Sequence, residues 1–321
     1  MSLTRRDLGR LALASVPMAG SAAISSKFHG VQIGAITYSF RSISDVEEII
    51  RAMVKLGLSE VELMSNHAEL LAGAPASALA PPGGGRDAKK GPPAPGQAAA
   101  RRNTPEARKA REELRQWRLS ASMDKFKGVR KKFTDAGIDI HLLCFNMNDA
   151  TTDDEIDYAF QMAKALDAEA MSSTTQVSVS KRVAPFADKH KLMVGFHNHA
   201  NIKDPNEFAT PESFAAAMSY SKYHGVNLDI GHFTAADYDA LAYIRQHYRR
   251  ITNLHLKDRK KNQGANLPWG QGDTPIKEVL QLMKKEKYKF PANIEYEYRV
   301  EGADTVTEVG KCLQFCKDAL A

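Results

Sequence analysis

Short apolar runs alternate with segments of helical spacing from residue 31 to the end of the chain. Apolar runs bounded by turn residues indicate buried strands, and apolar residues that recur at i, i+3 and i+4 indicate helices. The pattern predicts strands at 31–40, 59–64, 138–145, 168–173, 192–197, 226–230, 251–256 and 292–296. Because helical segments separate these strands, we expect one α/β domain, a (β/α)8 TIM barrel over residues 30–320.

Several predicted helices have clear start and stop signals. Gly57 follows the segment 45–56 and is a favourable C-cap. Thr104 precedes Pro105, which predicts the start of a helix that runs to about residue 118. We also expect one helix at 235–248 and a closing helix at 305–320.

Residues 72–103 interrupt the alternation of strands and helices. They include two turn-forming stretches, Pro81 to Gly85 and a Pro/Gly/Ala-rich run at 91–96. This low-complexity composition predicts an insertion in the loop after the second strand. On a barrel that loop opens at the catalytic face, so the insertion is either a solvated spacer or a lid.

Residues 1–23 have the pattern of an export signal. The pair Arg5-Arg6 is followed by an apolar run at 11–14 and by small residues up to Ala23. This is typical of a twin-arginine signal peptide cleaved near Ala22 or Ala23, and it predicts a periplasmic or exported protein. The alternative is a disordered basic tail. No other stretch is apolar over the ~20 residues of a membrane span, so no stable membrane insertion is expected after cleavage.

Composition narrows the classes of function. The chain has 321 residues, 43% of them hydrophobic, and a net charge of +6. This length suffices for one large domain, and the intermixed basic and acidic residues give little support to nucleic-acid binding. Cys144, Cys312 and Cys316 form no CxxC pair, which argues against a thiolate zinc site. The pattern leaves open whether the chain forms a homo-oligomer.

The strongest chemical signal lies at the ends of the last four predicted strands. The fifth strand ends in His-Asn-His, and its two histidines face the same side because strand side chains alternate. The C-terminal ends of parallel barrel strands converge on one site, and a set of His, Asp and Glu suits a divalent ion. We therefore expect one divalent metal ion, and the candidate metals are Mn, Co, Zn, Mg and Fe. The candidate ligands are His197, His199, Asp229, His255, Glu295 and Glu297.

Four short segments carry a resemblance to a known family. They are FHNH at 196–199, LDIGH at 228–232, HLKDR at 255–259 and IEYE at 294–297. The chain resembles the xylose isomerase-like TIM barrel superfamily, which includes sugar phosphate isomerases and epimerases. In that family strands five to eight each supply one metal ligand.

This resemblance implies a specific ligand set. Its members are His197, Asp229, His255 and Glu295. His197 stands where many relatives carry Glu, and His232 matches a histidine that touches the substrate in relatives.

The resemblance also implies chemistry beside a carbonyl group. Sugar 3-epimerases of the family remove and return a proton with two metal-bound glutamates, of which this chain keeps only Glu295. We therefore expect the other proton carrier to be His199, His232 or Lys257.

The expected activity is that of an isomerase or epimerase acting through an enediolate on a carbohydrate or keto-sugar. One alternative is a lyase or dehydratase that eliminates a β-substituent from a 3-keto-glycoside or inosose-type substrate. Metal-assisted phosphodiester cleavage is a further alternative, but it needs more ligands than this chain offers. A non-catalytic periplasmic sugar-binding barrel is the alternative of another class.

Other polar residues near the strand ends are candidates for substrate contacts. Lys257, as an ammonium, could stabilise an oxyanion or hold a hydroxyl; it could instead pair with Asp258 or Glu295. Glu62 and Glu297 could hold sugar hydroxyls or belong to a polar layer inside the barrel.

Aromatic residues and one glycine-rich loop complete the candidate substrate site. Tyr38 and Trp269 could form walls for a sugar ring or could simply pack in the core. The loop at 268–273 follows the seventh strand, where barrels often bind phosphate. Because exported proteins seldom meet sugar phosphates, we expect a neutral sugar or glycoside as the small-molecule partner.

Overall fold

Eight parallel strands form a closed barrel in the computed structural model, which describes residues 24–79 and 104–321. In chain order the strands are β1 (Lys27–Phe28), β2 (Val31–Ile36), β3 (Glu60–Met64), β4 (Asp139–Cys144), β5 (Ala170–Ser173), β6 (Met193–His197), β7 (His224–Asp229), β8 (Ile251–Leu256), β9 (Asp258–Arg259), β10 (Asn266–Leu267) and β11 (Ala292–Ile294). The barrel consists of β2 to β8 and β11, and it closes because β2 pairs with both β3 and β11. The predicted (β/α)8 TIM barrel is confirmed.

Helices surround the barrel and connect its strands. In chain order they are α1 (Val46–Leu56), α2 (Ser65–Leu71), α3 (Ala76–Leu79), α4 (Pro105–Ser120), α5 (Asp124–Asp135), α6 (Asp153–Ala165), α7 (Val177–His190), α8 (Pro211–Tyr220), α9 (Ile230–Ala235), α10 (Ala240–His247), α11 (Ile276–Glu286) and α12 (Thr305–Leu320). Their buried apolar faces join the outward-facing strand residues in one large core.

Two predicted element boundaries are wrong. The strand predicted at 31–40 ends at Ile36, and Thr37–Phe40 forms a 3-10 turn. The helix predicted at 235–248 is divided, because Asp237 adopts a left-handed conformation with φ 64° and the Asp239 side chain starts α10 as its N-cap. The short helix α9 therefore follows β7 directly and lies at the C-terminal end of the barrel.

The predicted helix caps at Gly57 and Thr104 are confirmed. Gly57 ends α1 in the left-handed region with φ 78°, where glycine has no steric penalty. The Thr104 side chain accepts a hydrogen bond of 3.2 Å from the backbone N–H of Ala107 at the start of α4.

One arginine fastens α4 to the barrel helices. Arg118 Nε donates to Glu69 of α2 at 2.7 Å, and its Nη1 donates to Glu155 of α6 at 2.9 Å. Both carboxylates are almost completely buried, so each needs a charged partner. The chain that returns after the Pro/Gly-rich segment is thus held at the C-terminal end of α4.

Two predicted segments lie wholly or mostly outside the described residues. They are the signal peptide at 1–23 and the part of the insertion at 80–103. The signal peptide, the exported location and the insertion's role as spacer or lid stay predictions. Among the helices of the described ranges, none is long and apolar enough to cross a membrane.

A buried carboxyl group lies inside the barrel, at the N-terminal end of β3. Glu60 is 2% exposed, and neither of its oxygens makes a hydrogen bond to another described residue. It fits because Gly34 on β2 has no side chain; a Cβ there would lie 1.5 Å from Glu60 Oε2. Burial, together with the charge of Glu62, raises the pKa of Glu60 well above its ordinary value.

We predict that Glu60→Gln stabilises the protein at high pH. A glutamate in the unfolded chain has a pKa of about 4.3, and Glu60 has a higher pKa in the folded protein. Between these two pKa values the unfolded chain ionises while the folded protein keeps its proton, so the free energy of unfolding falls as the pH rises through this window. Glutamine does not ionise, so its melting temperature at pH 8 should exceed that of the wild type by roughly 2–4 °C, the shift that about 1 kcal/mol produces in a large domain.

Thermal melts at pH 5 and pH 8 measure this difference. The difference in melting temperature between Glu60→Gln and wild type should be smaller at pH 5 than at pH 8. The exposed Glu278 on α11 provides the control. The difference in melting temperature between Glu278→Gln and wild type should not increase from pH 5 to pH 8. An equal pH dependence in Glu60→Gln and wild type would show that Glu60 ionises normally.

Candidate metal centre

Four predicted ligands meet at the C-terminal mouth of the barrel. His197 ends β6, Asp229 ends β7, His255 lies near the end of β8, and Glu295 follows β11. The strand register brings them together, since Asp229 pairs with His255 across β7 and β8. One ligand atom from each residue lies within 4.8 Å of the others, and all four side chains are buried.

The geometry of this cluster fits a divalent ion. Nε2 of His197 lies 3.5 Å from Asp229 Oδ2 and 3.7 Å from Glu295 Oε2. Nδ1 of His255 lies 2.9 Å from the same Glu295 oxygen. Within the described residues none of these four atoms makes a well-aligned hydrogen bond, although Lys257 Nζ lies within ion-pair distance of both carboxylate oxygens. Buried polar atoms in such an arrangement are costly unless a further group binds them. Two imidazole nitrogens and two carboxylate oxygens suit a divalent ion of the transition series, so the cluster could bind a metal.

The charges within the cluster reinforce one another. Burial alone would raise the pKa of Glu295, but Lys257 and His255 hold it well below its ordinary value. Burial would lower the pKa of His255, but the charges of Glu62 and Glu295 raise it well above the usual range. The carboxylates are therefore ionised, and a metal would compete with protons for the imidazoles.

Glu62 lies beneath the cluster and does not face the barrel mouth. It is fully buried, and its Oε2 accepts from His255 Nε2 at 2.6 Å. The remaining donors to its two oxygens are Ser172, Asn227, Asn253 and Asn293. Of the two roles considered for Glu62, this position favours a polar layer inside the barrel and gives no support to substrate contact. The carboxylate instead holds the proton of His255 on Nε2 and so turns Nδ1 towards the cluster.

Asn198 explains the amide between the two histidines of the fifth barrel strand. Its side chain accepts from the backbone N–H of Asp229 at 2.9 Å and donates to the Asp229 carbonyl at 3.1 Å. This double contact holds the ends of β6 and β7 together. The sequence pattern does not predict this role of Asn198, because nothing in the residue spacing indicates that a side chain pairs with the backbone of a neighbouring strand.

Lys257 is a buried ammonium beside the cluster. It is 2% exposed, and its Nζ lies 3.0 Å from Asp229 Oδ2, 2.9 Å from Glu295 Oε2 and 2.6 Å from Glu297 Oε2. Burial would lower the pKa of Lys257, but these carboxylates raise it far above the ordinary value. Lys257 therefore stays charged and is a poor candidate for a base. The pairing with Glu295, which the sequence left open as the alternative to a substrate contact, is present.

His199 lies at the edge of the mouth and is not among the four clustered residues. Its ring centroid is 5.1 Å from that of His197, and its side chain is 37% exposed. Its Nδ1 donates to Glu207 Oε1 at 2.5 Å, which leaves Nε2 to accept. The sequence pattern does not predict the contact of Glu207 with His199. Glu207 lies in the loop between β6 and α8, and loop residues have no periodicity that indicates their contacts.

His232 lies on α9 beside the same mouth. Asp229 Oδ1 accepts from the backbone N–H of His232 at 2.6 Å as the N-cap of this short helix. Its ring centroid lies 5.9 Å from that of His197 and 5.2 Å from that of His199. Burial and the charge of Lys257 lower the pKa of His232 well below its ordinary value, so the imidazole is neutral.

Of the three remaining residues that were predicted to contact substrate, two lie at the barrel mouth and one lies elsewhere. Glu297 is at the mouth, paired with Lys257. Tyr38 is half-buried in the turn after β2, at the same end of the barrel. Trp269 packs edge-on against Phe315 of α12, with 5.8 Å between ring centroids. It lines a cavity of about 450 Å³ to which none of the four clustered residues contributes, so this position gives no support to Trp269 as a wall of the metal centre.

The glycine-rich loop at 268–273 binds a carboxylate of the protein itself. Asp258 Oδ2 accepts from the backbone N–H groups of Gly270 and Gly272, both at 2.8 Å, and Oδ1 accepts from Thr274 at 3.2 Å. The loop donors that could have held a phosphate are therefore already occupied. This also explains why Asp258 does not pair with Lys257.

A family model described as a xylose isomerase-like TIM barrel matches residues 106–318. The chain belongs to this family. The residues matched include all four clustered side chains.

Individual relatives are distant. L-ribulose-5-phosphate 3-epimerase UlaE of Escherichia coli O1:K1 is 25% identical over 120 residues, which are 36% of this chain and 42% of the relative. The chain thus matches less than half the length of this curated relative.

Two solved structures show the same fold. The probable 3-DHS dehydratase AsbF of Bacillus anthracis has a TM-score of 0.59 and 13% identity, covering 89% of this chain and 99% of that one. The IOLI protein, whose structure has a bound zinc atom, has a TM-score of 0.59 and 11% identity, covering 90% and 98%. At such identities the likeness extends to the fold alone.

We predict that Glu62→Gln weakens metal binding. Glutamine has the size of glutamate but lacks the charge that holds the His255 proton on Nε2, and its own N–H groups would face the surrounding amide donors. Loss of such an orienting carboxylate should lower metal affinity by about 10–100-fold. Competition with a chromogenic chelator measures the affinity without any need for a substrate.

The matched control is Glu60→Gln. It makes the same substitution on the same strand and the same face, but within the described residues the Glu60 carboxyl group makes no hydrogen bond to any of the four clustered residues. It should bind metal as the wild type does. Equal affinities for Glu62→Gln and wild type would mean that His255 is oriented by something else.

Proposed function

We propose that this protein is a divalent-metal-dependent enzyme that isomerises or epimerises a neutral carbohydrate or keto-sugar through an enediolate. The observation that carries the proposal is the convergence of four buried ligand atoms, from four different strand ends, at the barrel mouth. The curated relative that epimerises L-ribulose 5-phosphate and the zinc bound by a protein of the same fold support the same class of chemistry.

The proposed ligands are His197, Asp229, His255 and Glu295. A divalent ion held by them would stabilise negative charge that develops on the carbonyl and neighbouring hydroxyl oxygens of a sugar. Burial of the ligands excludes water from the site, which strengthens this stabilisation.

Glu295 is the proposed carrier of the first proton. It is ionised, because Lys257 and His255 hold its pKa well below the ordinary value. As an unprotonated carboxylate, it can accept a proton. So weak a base can act only on a C–H that is strongly acidified by the neighbouring carbonyl. His199 is the proposed second carrier, since Glu207 orients its ring and leaves Nε2 free to exchange a proton.

The loop geometry supports a substrate without phosphate. The backbone N–H groups of Gly270 and Gly272 already bind Asp258. We therefore propose a neutral sugar, in contrast to the phosphorylated sugar named for the curated relative.

Elimination is the second candidate reaction, and one observation favours it. Epimerisation needs proton carriers on both faces of the substrate, whereas elimination can proceed with one. Glu62, the further carboxylate next to His255, is fully buried and cannot reach a substrate. A lyase acting on a 3-keto-glycoside or inosose-type substrate would therefore need only Glu295, and a protein of the same fold is a probable dehydratase.

Exchange of substrate C–H with D2O tests the proposal. We expect metal-loaded wild type to exchange one C–H beside the carbonyl of at least one neutral ketose in a panel of ketopentoses, ketohexoses and 3-keto-glycosides, as read by proton NMR. Glu295→Gln should lose exchange by about 100-fold or more, since general-base catalysis typically contributes 10²–10⁴-fold. Metal content is measured on the same samples, so that loss of the base is separated from loss of the ion.

The matched control is Glu301→Gln, at an exposed position six residues along the chain. It should exchange at the wild-type rate. His199→Gln should suppress product formation more than the first exchange. Exchange accompanied by release of a β-substituent would identify the lyase instead, and sugar binding without any exchange would identify a binding protein.

A further inference from the structure

The cavity beside Trp269 has the size and the lining of a small-molecule site. Its volume is about 450 Å³. Its apolar walls come from the loop after β10, the segment after β11 and helix α12, and they consist of Pro268, Trp269, Tyr298, Val300, Cys312 and Phe315. Ligand sites commonly have volumes of about 300–1,000 Å³ and mostly apolar or aromatic walls with a few polar groups.

This cavity is separate from the barrel mouth, although the two share one segment of backbone. Glu297 pairs with Lys257 at the mouth, whereas the next residue, Tyr298, donates its hydroxyl hydrogen to Glu308 of α12 at 2.8 Å. The two neighbouring side chains therefore contact different parts of the protein. None of the four clustered residues lines the cavity, so a molecule bound there would leave the metal centre unoccupied.

The charged groups around the cavity neutralise one another. Glu308 is almost completely buried, and its two oxygens accept from the Tyr298 hydroxyl at 2.8 Å and from Lys311 Nζ at 2.7 Å. Burial raises the pKa of the Cys312 thiol to about 12, so this thiol is uncharged at neutral pH and packs as a small apolar group. The described residues of the lining thus offer no unpaired charge, which favours a neutral ligand over an ion.

The indole N–H of Trp269 is a polar group of the lining that lacks a partner. Its Nε1 is buried and has no hydrogen-bond acceptor among the described residues. An indole nitrogen can only donate, and a buried donor without an acceptor is costly. Because Phe315 packs edge-on against the indole ring, the ring is held in place by the helix behind it. An oxygen acceptor inside the cavity would satisfy the donor.

We propose that this cavity binds a small neutral aromatic molecule with an oxygen acceptor, and that the Trp269 indole N–H donates to this oxygen. The rings of Trp269, Tyr298 and Phe315 supply the contact area that an aromatic ligand requires. Val300 is 42% exposed and so marks the opening of the cavity to solvent. The site does not depend on the proposed function, because it requires neither the metal nor a sugar.

The indole signals of the protein measure the proposed hydrogen bond directly. The chain has two tryptophans, Trp117 and Trp269, so full-length protein labelled with 15N-tryptophan gives two indole N–H signals, and Trp117→Phe assigns them. Benzyl alcohol is the probe, because it is neutral and aromatic and its oxygen accepts. We expect it to move the Trp269 proton signal downfield in a saturable manner, since a hydrogen bond deshields the proton. The Trp117 signal should not move, and toluene, which has no acceptor, should cause no downfield movement.

A matched pair of variants tests the donor through affinity. Trp269→Phe keeps an aromatic wall but has no N–H, so benzyl alcohol should bind roughly 2- to 10-fold more weakly, the range that one net hydrogen bond supplies. Toluene should bind this variant and the wild type with equal affinity. Trp117→Phe makes the same substitution outside the cavity and should leave both affinities unchanged. Saturation-transfer NMR of the ligand measures all of these affinities.

Charged analogues test the neutrality of the site. Benzoate and benzylamine carry a negative and a positive charge on a similar ring, and each should bind at least about tenfold more weakly than benzyl alcohol, because the charge would lose water without gaining a partner. Tighter binding of either ion would overturn the proposal.

Three further results would overturn it. The first is a Trp269 signal that benzyl alcohol does not move in the wild type, a measurement that needs no variant of Trp269. The second is an equal loss of affinity for toluene and benzyl alcohol in Trp269→Phe. The third is a Trp269 signal that moves with protein concentration alone, together with dimerisation in light scattering, which would mean that a second copy of the chain covers the cavity.

Discussion

Compensation of buried charge at the barrel mouth is the interaction on which the rest of the site depends. Asp229, Glu295 and Glu62 place three carboxylates where almost no water reaches, and an unpaired charge there would cost several kcal/mol. Lys257 lies against Asp229 and Glu295, and His255 joins Glu295 to Glu62. The pairing of these charges holds each side chain in one orientation. The four ligand atoms are therefore pre-organised in a cluster that could bind a metal.

The same requirement extends outward from the cluster to the loops. Asp258 binds the glycine-rich loop, Asn198 binds the backbone of Asp229, and Gly264 holds the guanidinium of Arg259. These contacts place His232 and Lys257 on one side of the mouth, while His199 with Glu207 lies at its edge.

The strands could be predicted from simple periodicity, which also gave six candidate ligands at the strand ends; only the family resemblance reduced these six to the four clustered residues. A period of two fixes which side chains face the barrel axis, and parallel strands place their C-terminal ends together. Depth along the axis could not be predicted. Glu62 faces inward as expected, but the stagger of the strands places it beneath His255 and out of reach of a substrate. Loop residues such as Trp269 and Glu207 have no period, so their positions depend on tertiary contacts that the sequence does not reveal.

Anomalous diffraction from crystals grown with Mn²⁺ or Zn²⁺ tests the central claim most directly. The account predicts one strong anomalous peak at the barrel mouth, about 2.0–2.3 Å from Nε2 of His197, Nδ1 of His255 and one oxygen each of Asp229 and Glu295. It also predicts that Nε2 of His255 remains bonded to Glu62. An ion bound through Nε2 of His255, or a peak away from these four residues, would contradict the account.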